Sequence, residues 1–305
     1  MADYHPWLHR YATMVAFCTF LLIVAGALVT GNGAGLAELG WPTGGPFRLA
    51  ELAGGVKIEH AHRMIAGAVG VLTLILAVWL WRQDSRGWVR WTAFAAVAAV
   101  LAQVALGGVS VLWFLPVAIS TAHAALGQIF FCLAVSLAVF TGADWSWNED
   151  KLEDPTAPSL RLVSAATTGA ILLDLVMGAV YRHSSDGTIV PHVVVATVVT
   201  LLGGWVVFKV LRRFVKHPGL LHPALLLGGL LAAQIFLGIG SLIMTLATRN
   251  DPLPVASVID VTTAHVTVGA LALVTSLYVT FQAYRFLIGP RQPIRVAPTP
   301  HHSTT

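Results

Sequence analysis

Eight runs of about 20 apolar residues dominate the chain, near 11–30, 62–81, 91–113, 120–141, 161–181, 191–211, 223–246 and 260–286. Each can carry a helix across roughly 30 Å of hydrocarbon. The expected fold is all-α: a polytopic membrane protein with eight transmembrane helices. Only 10% of the 305 residues are charged and 56% are hydrophobic, against roughly 25% charged in a soluble domain. Such a chain could not cover a soluble surface, and disorder needs the opposite composition. Its two cysteines, Cys18 and Cys132, lie inside apolar runs and exclude a disulfide scaffold. The first run follows Tyr4–Arg10 and lacks an A-x-A cleavage site, so it reads as a retained helix rather than a signal peptide.

Lys and Arg fall unevenly on the two sides of this topology. Thirteen lie on the side of Arg10, Arg82, Arg86, Arg90, Lys151, Arg161, Lys209, Arg212, Arg213, Lys216, Arg285, Arg291 and Arg295, and five on the side of Arg48, Lys57, Arg63, Arg182 and Arg249. The positive-inside rule puts both termini in the cytoplasm. The net charge of +4 is this sorting charge and calls for no nucleic acid; the lipid bilayer is the expected partner.

The two halves repeat. Leu101-Ala-Gln103-Val-Ala-Leu106-Gly107-Gly-Val-Ser110 corresponds to Ala232-Ala-Gln234-Ile-Phe-Leu237-Gly238-Ile-Gly-Ser241, and Thr121-Ala-His123 with Gly127 corresponds to Thr263-Ala-His265 with Gly269. Gly26-Ala27 likewise aligns with Gly178-Ala179. Four helices per unit is an even number, so the units run parallel as two pseudo-two-fold-related four-helix bundles. The boundaries read as 1–143 for the first half, 144–160 for an acidic, solvated cytoplasmic linker, 161–290 for the second half and 291–305 for a disordered cytoplasmic tail.

Four of the twelve histidines occupy repeat-equivalent positions: His62, His123, His192 and His265, each near the start of an even-numbered helix and so expected toward the outer face. Histidine inside a span is costly and marks function by default. Each is followed one turn later by a small residue, Ala66, Gly127, Ala196 or Gly269, the clearance a flat macrocycle bound through imidazole would need. No cysteine or third histidine accompanies either pair, as zinc would usually require. Two histidines from facing helices suit the axial positions of haem iron, giving one haem-sized site per half. The sites differ: Glu59-His60-Ala61-His62-Arg63 has an acid where Pro191-His192-Val193 has none. A carboxylate beside a metal-binding imidazole can orient it or shuttle protons. One site would then do chemistry while the other holds a fixed cofactor.

The chain resembles the heme A synthases over nearly its whole length. The resemblance rests on Leu8-His9-Arg10-Tyr11-Ala12, on Gly31-Asn-Gly-Ala-Gly-Leu36 followed by Trp41-Pro42, on Glu59–Arg63, on Thr121-Ala-His123, on Arg182-His183 and on Thr263-Ala-His265. It implies oxidation of a methyl group of haem O to formyl by successive hydroxylations, giving haem A for cytochrome oxidase assembly. It implies Glu59, His62 and His123 as the catalytic set at a substrate haem O site in the first half, and His192 and His265 as ligands of a haem b in the second. Neither a flavin or nicotinamide fingerprint nor iron–sulfur cysteines are present, so electrons must come from a partner protein, with haem O synthase as a further expected neighbour. The expected location is a bacterial-type cell (inner) membrane with the haem sites toward the outer face. Some family members carry a cysteine pair in the first outer loop; residues 31–57 hold none here, so no thiol step there can operate.

Arg182 and His183, at an outer helix end, are candidates to pair with haem propionates. Asp174 lies within the fifth span, where an acid is either hydrogen-bonded between helices or part of a proton path. Gln103 and Gln234 read as interhelical glue. Two competing functions fit the histidines: a di-haem b-type electron-transfer cytochrome, and a haem transporter or chaperone.

Overall fold

The computed structural model describes residues 4–37, 54–143, 145, 151–184, 187–251 and 255–289. Trp41-Pro42, Arg48, the linker residues 144 and 146–150, and the tail 291–305 lie outside them. Eight helices among the described residues are long and apolar enough to cross a membrane: α1 (Pro6–Gly31), α2 (Gly54–Gln83), α3 (Gly87–Leu112), α4 (Val117–Phe140), α5 (Leu160–His183), α6 (Val190–Arg213), α7 (Pro218–Ala247) and α8 (Ala256–Phe286). Every apolar run of the sequence lies in one of them. Prolines stand in the first turn of α1, α6 and α7, where a missing N–H breaks no helical hydrogen bond. Ser159 caps α5 by accepting from Leu162 N at 3.3 Å.

Helices α1–α4 form a ring in which each packs on its two neighbours, and α5–α8 repeat it. The seam joins α1 to α8, α4 to α5, and α4 to α8. Exchanging the halves maps this set of contacts onto itself, as a pseudo-two-fold axis requires. Each bundle has its own buried core, one around Leu76, Leu80 and Leu137, the other around Leu220, Leu227 and Leu273. A small third core of Phe131, Ala270 and Val274 fills the seam.

The helix ends opposite the four histidines are tied by polar knots. Asp84, in the α2–α3 turn, accepts from Arg86 through both carboxylate oxygens at 2.9 and 2.6 Å, and Arg86 Nη2 also donates to the Phe140 carbonyl at 2.9 Å. That bond ties the turn to the end of α4. Burial alone would raise the Asp84 carboxyl, but the hydrogen bonds and charge of Arg86, with Arg90 nearby, hold it below its ordinary value. In the second half the knot comes from the linker, which is less solvated than its composition implies. Asp154 is 1% exposed and accepts from the Leu160 N–H at 2.6 Å at the start of α5. Thr156 and Pro158 accept from the buried Lys209 of α6 at 2.5 and 2.6 Å. Strand β1 (Leu152–Glu153) pairs in parallel with β2 (Leu287–Ile288), fastening the linker to the end of α8.

Candidate functional site

All four repeat-equivalent histidines sit near the N-termini of even-numbered helices, at one end of the bundles, and each ring rests on a glycine of the preceding helix. A Cβ added to Gly26 of α1 would lie 3.2 Å from His62 Cε1; at Gly107 of α3, 3.3 Å from His123 Cε1; at Gly178 of α5, 3.3 Å from His192 Cε1; at Gly238 of α7, 3.1 Å from His265 Cε1. Real Cβ contacts are rarely so tight, so the four glycines are what let the imidazoles lie against the neighbouring backbone.

Two of the small residues one turn after the histidines have a glutamine as neighbour. Gly127 and Gly269 make room for glutamine, since added Cβ atoms would lie 2.9 Å from Gln103 Nε2 and 2.6 Å from Gln234 Nε2. Gln103 Nε2 crosses from α3 to donate to the His123 carbonyl at 3.0 Å, which makes it the interhelical tie anticipated from sequence. The glycines beneath the imidazoles escaped sequence reasoning because single-helix periodicity carries no information about what a neighbouring helix presses against it. The signal was present in the repeat itself, where Gly26 pairs with Gly178 and Gly107 with Gly238.

In the second half, the ring centres of His192 and His265 are 6.1 Å apart with planes at 87°. Two metal–nitrogen bonds of about 2 Å, plus roughly 1 Å from each nitrogen to its ring centre, span about 6 Å. That span is close to the separation observed. In the first half, His62 lies within electrostatic range of His123 and of Arg63. Among the described residues, the buried Nδ1 atoms of His62, His123 and His265 have no hydrogen-bond partner, nor do Thr121 Oγ1, Thr263 Oγ1, Gln103 Oε1 and Gln234 Oε1. Orphaned polar atoms at matching positions of both halves are expected at the walls of a ligand site. Among the described residues no group of three or more His, Cys, Asp or Glu side chains converges as a metal cage, so each half offers a pair of imidazoles.

Beyond the imidazoles the halves diverge. Glu59 is 3% exposed on α2 and accepts from Arg63 Nη2 at 2.6 Å; its repeat partner, three positions before His192, is Ile189. The second half has its acid elsewhere. Asp174 Oδ1 lies 2.9 Å from His192 Nδ1, and the Asp174 backbone carbonyl accepts from the same nitrogen at 3.2 Å. The repeat partner of Asp174, four positions before Gly26, is Leu22. Arg182 and His183, at the end of α5, stand between the sites: Arg182 is within electrostatic range of His265, its Nη2 3.5 Å from where a Gly31 Cβ would be, while His183 is within range of His123.

A groove of about 860 Å³ between α1, α4 and α8, lined by His9, Phe17, Phe20, Phe131, Val274 and Arg285 among others, opens at the other helix ends. It is remote from the four histidines and contributes nothing to their site. His9, part of the opening motif, bonds through Nδ1 with the Ala138 carbonyl at 3.0 Å and so ties the start of α1 to the end of α4.

A family model described as cytochrome oxidase assembly protein matches residues 2–135 and 46–193. The chain is similar to the heme A synthase of Lysinibacillus sphaericus (strain C3-41), 30% identical over 194 residues that cover 62% of each protein. It is similar to the heme A synthase of Bacillus licheniformis, 34% identical over 125 residues, 39% of this chain and 41% of the relative. A third relative, the protoheme IX farnesyltransferase of Haloarcula marismortui, is 35% identical over 145 residues, 45% of this chain and 30% of the relative. Each match spans less than two thirds of the relative's length.

Proposed function

The chain belongs to the family of cytochrome oxidase assembly proteins COX15-CtaA, and on that premise we propose that it acts as a heme A synthase, an oxidoreductase that converts the methyl group of haem O to formyl by successive hydroxylations. The observation that carries this reading is the pairing of two like histidine sites with unlike acids: Glu59 at the first, Asp174 at the second. Two equivalent sites would suit a carrier, whereas one site with a buried carboxylate on the histidine's own helix suits chemistry at one haem and storage of another. Both pairs also occupy the same end of the helices, which does not suit a carrier moving electrons across the bilayer.

In this reading His62 and His123 hold haem O as substrate, with Glu59 as the proton-transferring group, fixed by Arg63 one helical turn on. Glycines 26 and 107 set the depth of the two rings and so orient the substrate. His192 and His265 hold haem b; when bound it supplies one-electron relay between the substrate site and a partner protein. Arg182 and His183 pair with propionates where the two sites approach one another. The repeat-matched threonines and glutamines offer further polar contacts. The protein lies in a bacterial-type inner membrane with both termini cytoplasmic and the sites toward the outer face, in keeping with the charge asymmetry of its loops. The likeness to a protoheme farnesyltransferase supports haem O synthase as the neighbour that delivers substrate.

The test is to express the protein in cells that make haem O but lack their own haem A activity, then extract and separate the haems. Haem A is the expected product. Haem O alone, in cells where a relative restores haem A, would refute the assignment.

A further inference from the structure

An ionisable residue within a span is expensive and needs a partner, and Asp174 has found one specific nitrogen. Its Oδ1 is buried and lies 2.9 Å from His192 Nδ1, whose hydrogen bond goes to the backbone carbonyl of the same residue at 3.2 Å. Asp174 and Gly178 are one turn apart on the same face of α5, so a single helix face provides both the hollow that receives the His192 ring and the acceptors for its Nδ1. With Nδ1 carrying the proton, Nε2 is the nitrogen left for a metal.

The first half lacks this arrangement. His62 has the glycine, Gly26, but the position matching Asp174 is Leu22, and His62 Nδ1 has no hydrogen-bond partner among the described residues. The repeat has kept the hollow and replaced the carboxylate with an apolar side chain.

We infer that Asp174 is a positioning residue for the second-half haem: it fixes the tautomer and rotation of His192 and strengthens that imidazole as an axial donor. This rests on the reading proposed above, in which His192 and His265 share haem b. A carboxylate beside the Nδ1 proton leaves more electron density on Nε2, and a stronger donor favours oxidised iron, so the haem is held more firmly and at a lower potential. The absence of such a group at His62 leaves the first-half site a looser ligand, as a site that must release its product requires.

The experiment uses the full-length protein purified with its native haem, as wild type, D174N, D174L and D174E. Haem transfer to apomyoglobin measures retention, and spectroelectrochemical titration measures the midpoint potential. Leucine is the residue the first half already carries at this position, and asparagine keeps the shape without the charge, so at least one variant should fold; monodisperse elution checks it. In D174L and D174N haem should be lost about 10- to 100-fold faster, more so in D174L, and the midpoint potential should rise. D174E should recover part of both. Unchanged retention and potential in folded D174L and D174N would overturn the positioning role alone, provided H192A and H265A abolish the same haem. If that haem survives H192A and H265A, the bis-histidine reading and the role of Asp174 fall together.

Discussion

The two halves of this protein share a scaffold and differ in their acids. Both press paired histidines onto glycines of the preceding helices, and both lay a glutamine amide over a glycine one turn further on. The first half adds Glu59 on the histidine's own helix, held by Arg63; the second adds Asp174 on the neighbouring helix, aimed at Nδ1. An acid on the ligand's far nitrogen tunes and anchors a metal site, whereas an acid beside it on the same helix is placed to exchange protons with what is bound. The two copies keep their histidines and glycines and differ at two positions around them, Glu59 against Ile189 and Leu22 against Asp174.

The same division appears in the packing. In the second bundle Thr168 Oγ1 bonds with Ser276 Oγ at 2.8 Å and Thr280 Oγ1 at 3.0 Å, whereas the matching first-half positions are Ala16, Ala134 and Ala138. These hydroxyls tie α5 to α8 where the first half has alanine at all three matching positions.

The largest effect that could break the comparison is at Glu59. E59Q should lower conversion of haem O about 10²- to 10⁴-fold while leaving total haem per chain unchanged, read by separating extracted haems beside a pyridine haemochrome assay. Undiminished haem A production in E59Q would remove the catalytic role. Next in size are the glycines. G238V, at the tightest of the four contacts, 3.1 Å, should displace His265 at a cost of about 1–3 kcal/mol, a factor of up to about 10² in occupancy of the second site, with the first unaffected. G26V should do the converse. Loss of both haems from either variant would mean that the sites are not separable.

A smaller effect is expected at Gly127. G127A crowds Gln103 rather than an imidazole, so thermal stability should fall by about 1 kcal/mol with haem content intact. Haem loss in G127A, with none in G107A, would restore the clearance to the histidine's own helix. The remaining prediction lies at the other end of the molecule. Because Asp84 titrates below its ordinary value, its stabilising contribution is complete above about pH 4 and disappears only as pH falls through its lowered folded-state value. D84N should flatten that acid limb of a detergent-phase melting curve and cost about 1.5 kcal/mol at neutral pH. An acid limb as steep in D84N as in wild type would assign it to another group.

Much of this was legible in the sequence. Eight apolar runs located eight helices because span length and hydropathy are local properties, and the repeat selected four histidines out of twelve because equivalent positions in two copies filter coincidence. What escaped were relations between helices. Asp174 sits on a helix apolar on most sides, so its direction depends on how α5 packs against α6. The glycine hollows are visible only when a second helix supplies the ring. The linker looked solvated because Asp154 and its neighbours are polar; their partners, Lys209 and the Leu160 N–H, are set by tertiary contact.

On the proposed function the two histidine pairs hold different haems for different purposes. It is tested most directly by counting and identifying the haems in purified wild type, in the double variant H62A/H123A and in the double variant H192A/H265A, all from cells that make haem O. The first double variant should keep haem b and lose haems O and A, and the second should lose haem b. If both double variants lose the same haem, or if neither changes the haem b content, the division of labour between the halves is wrong.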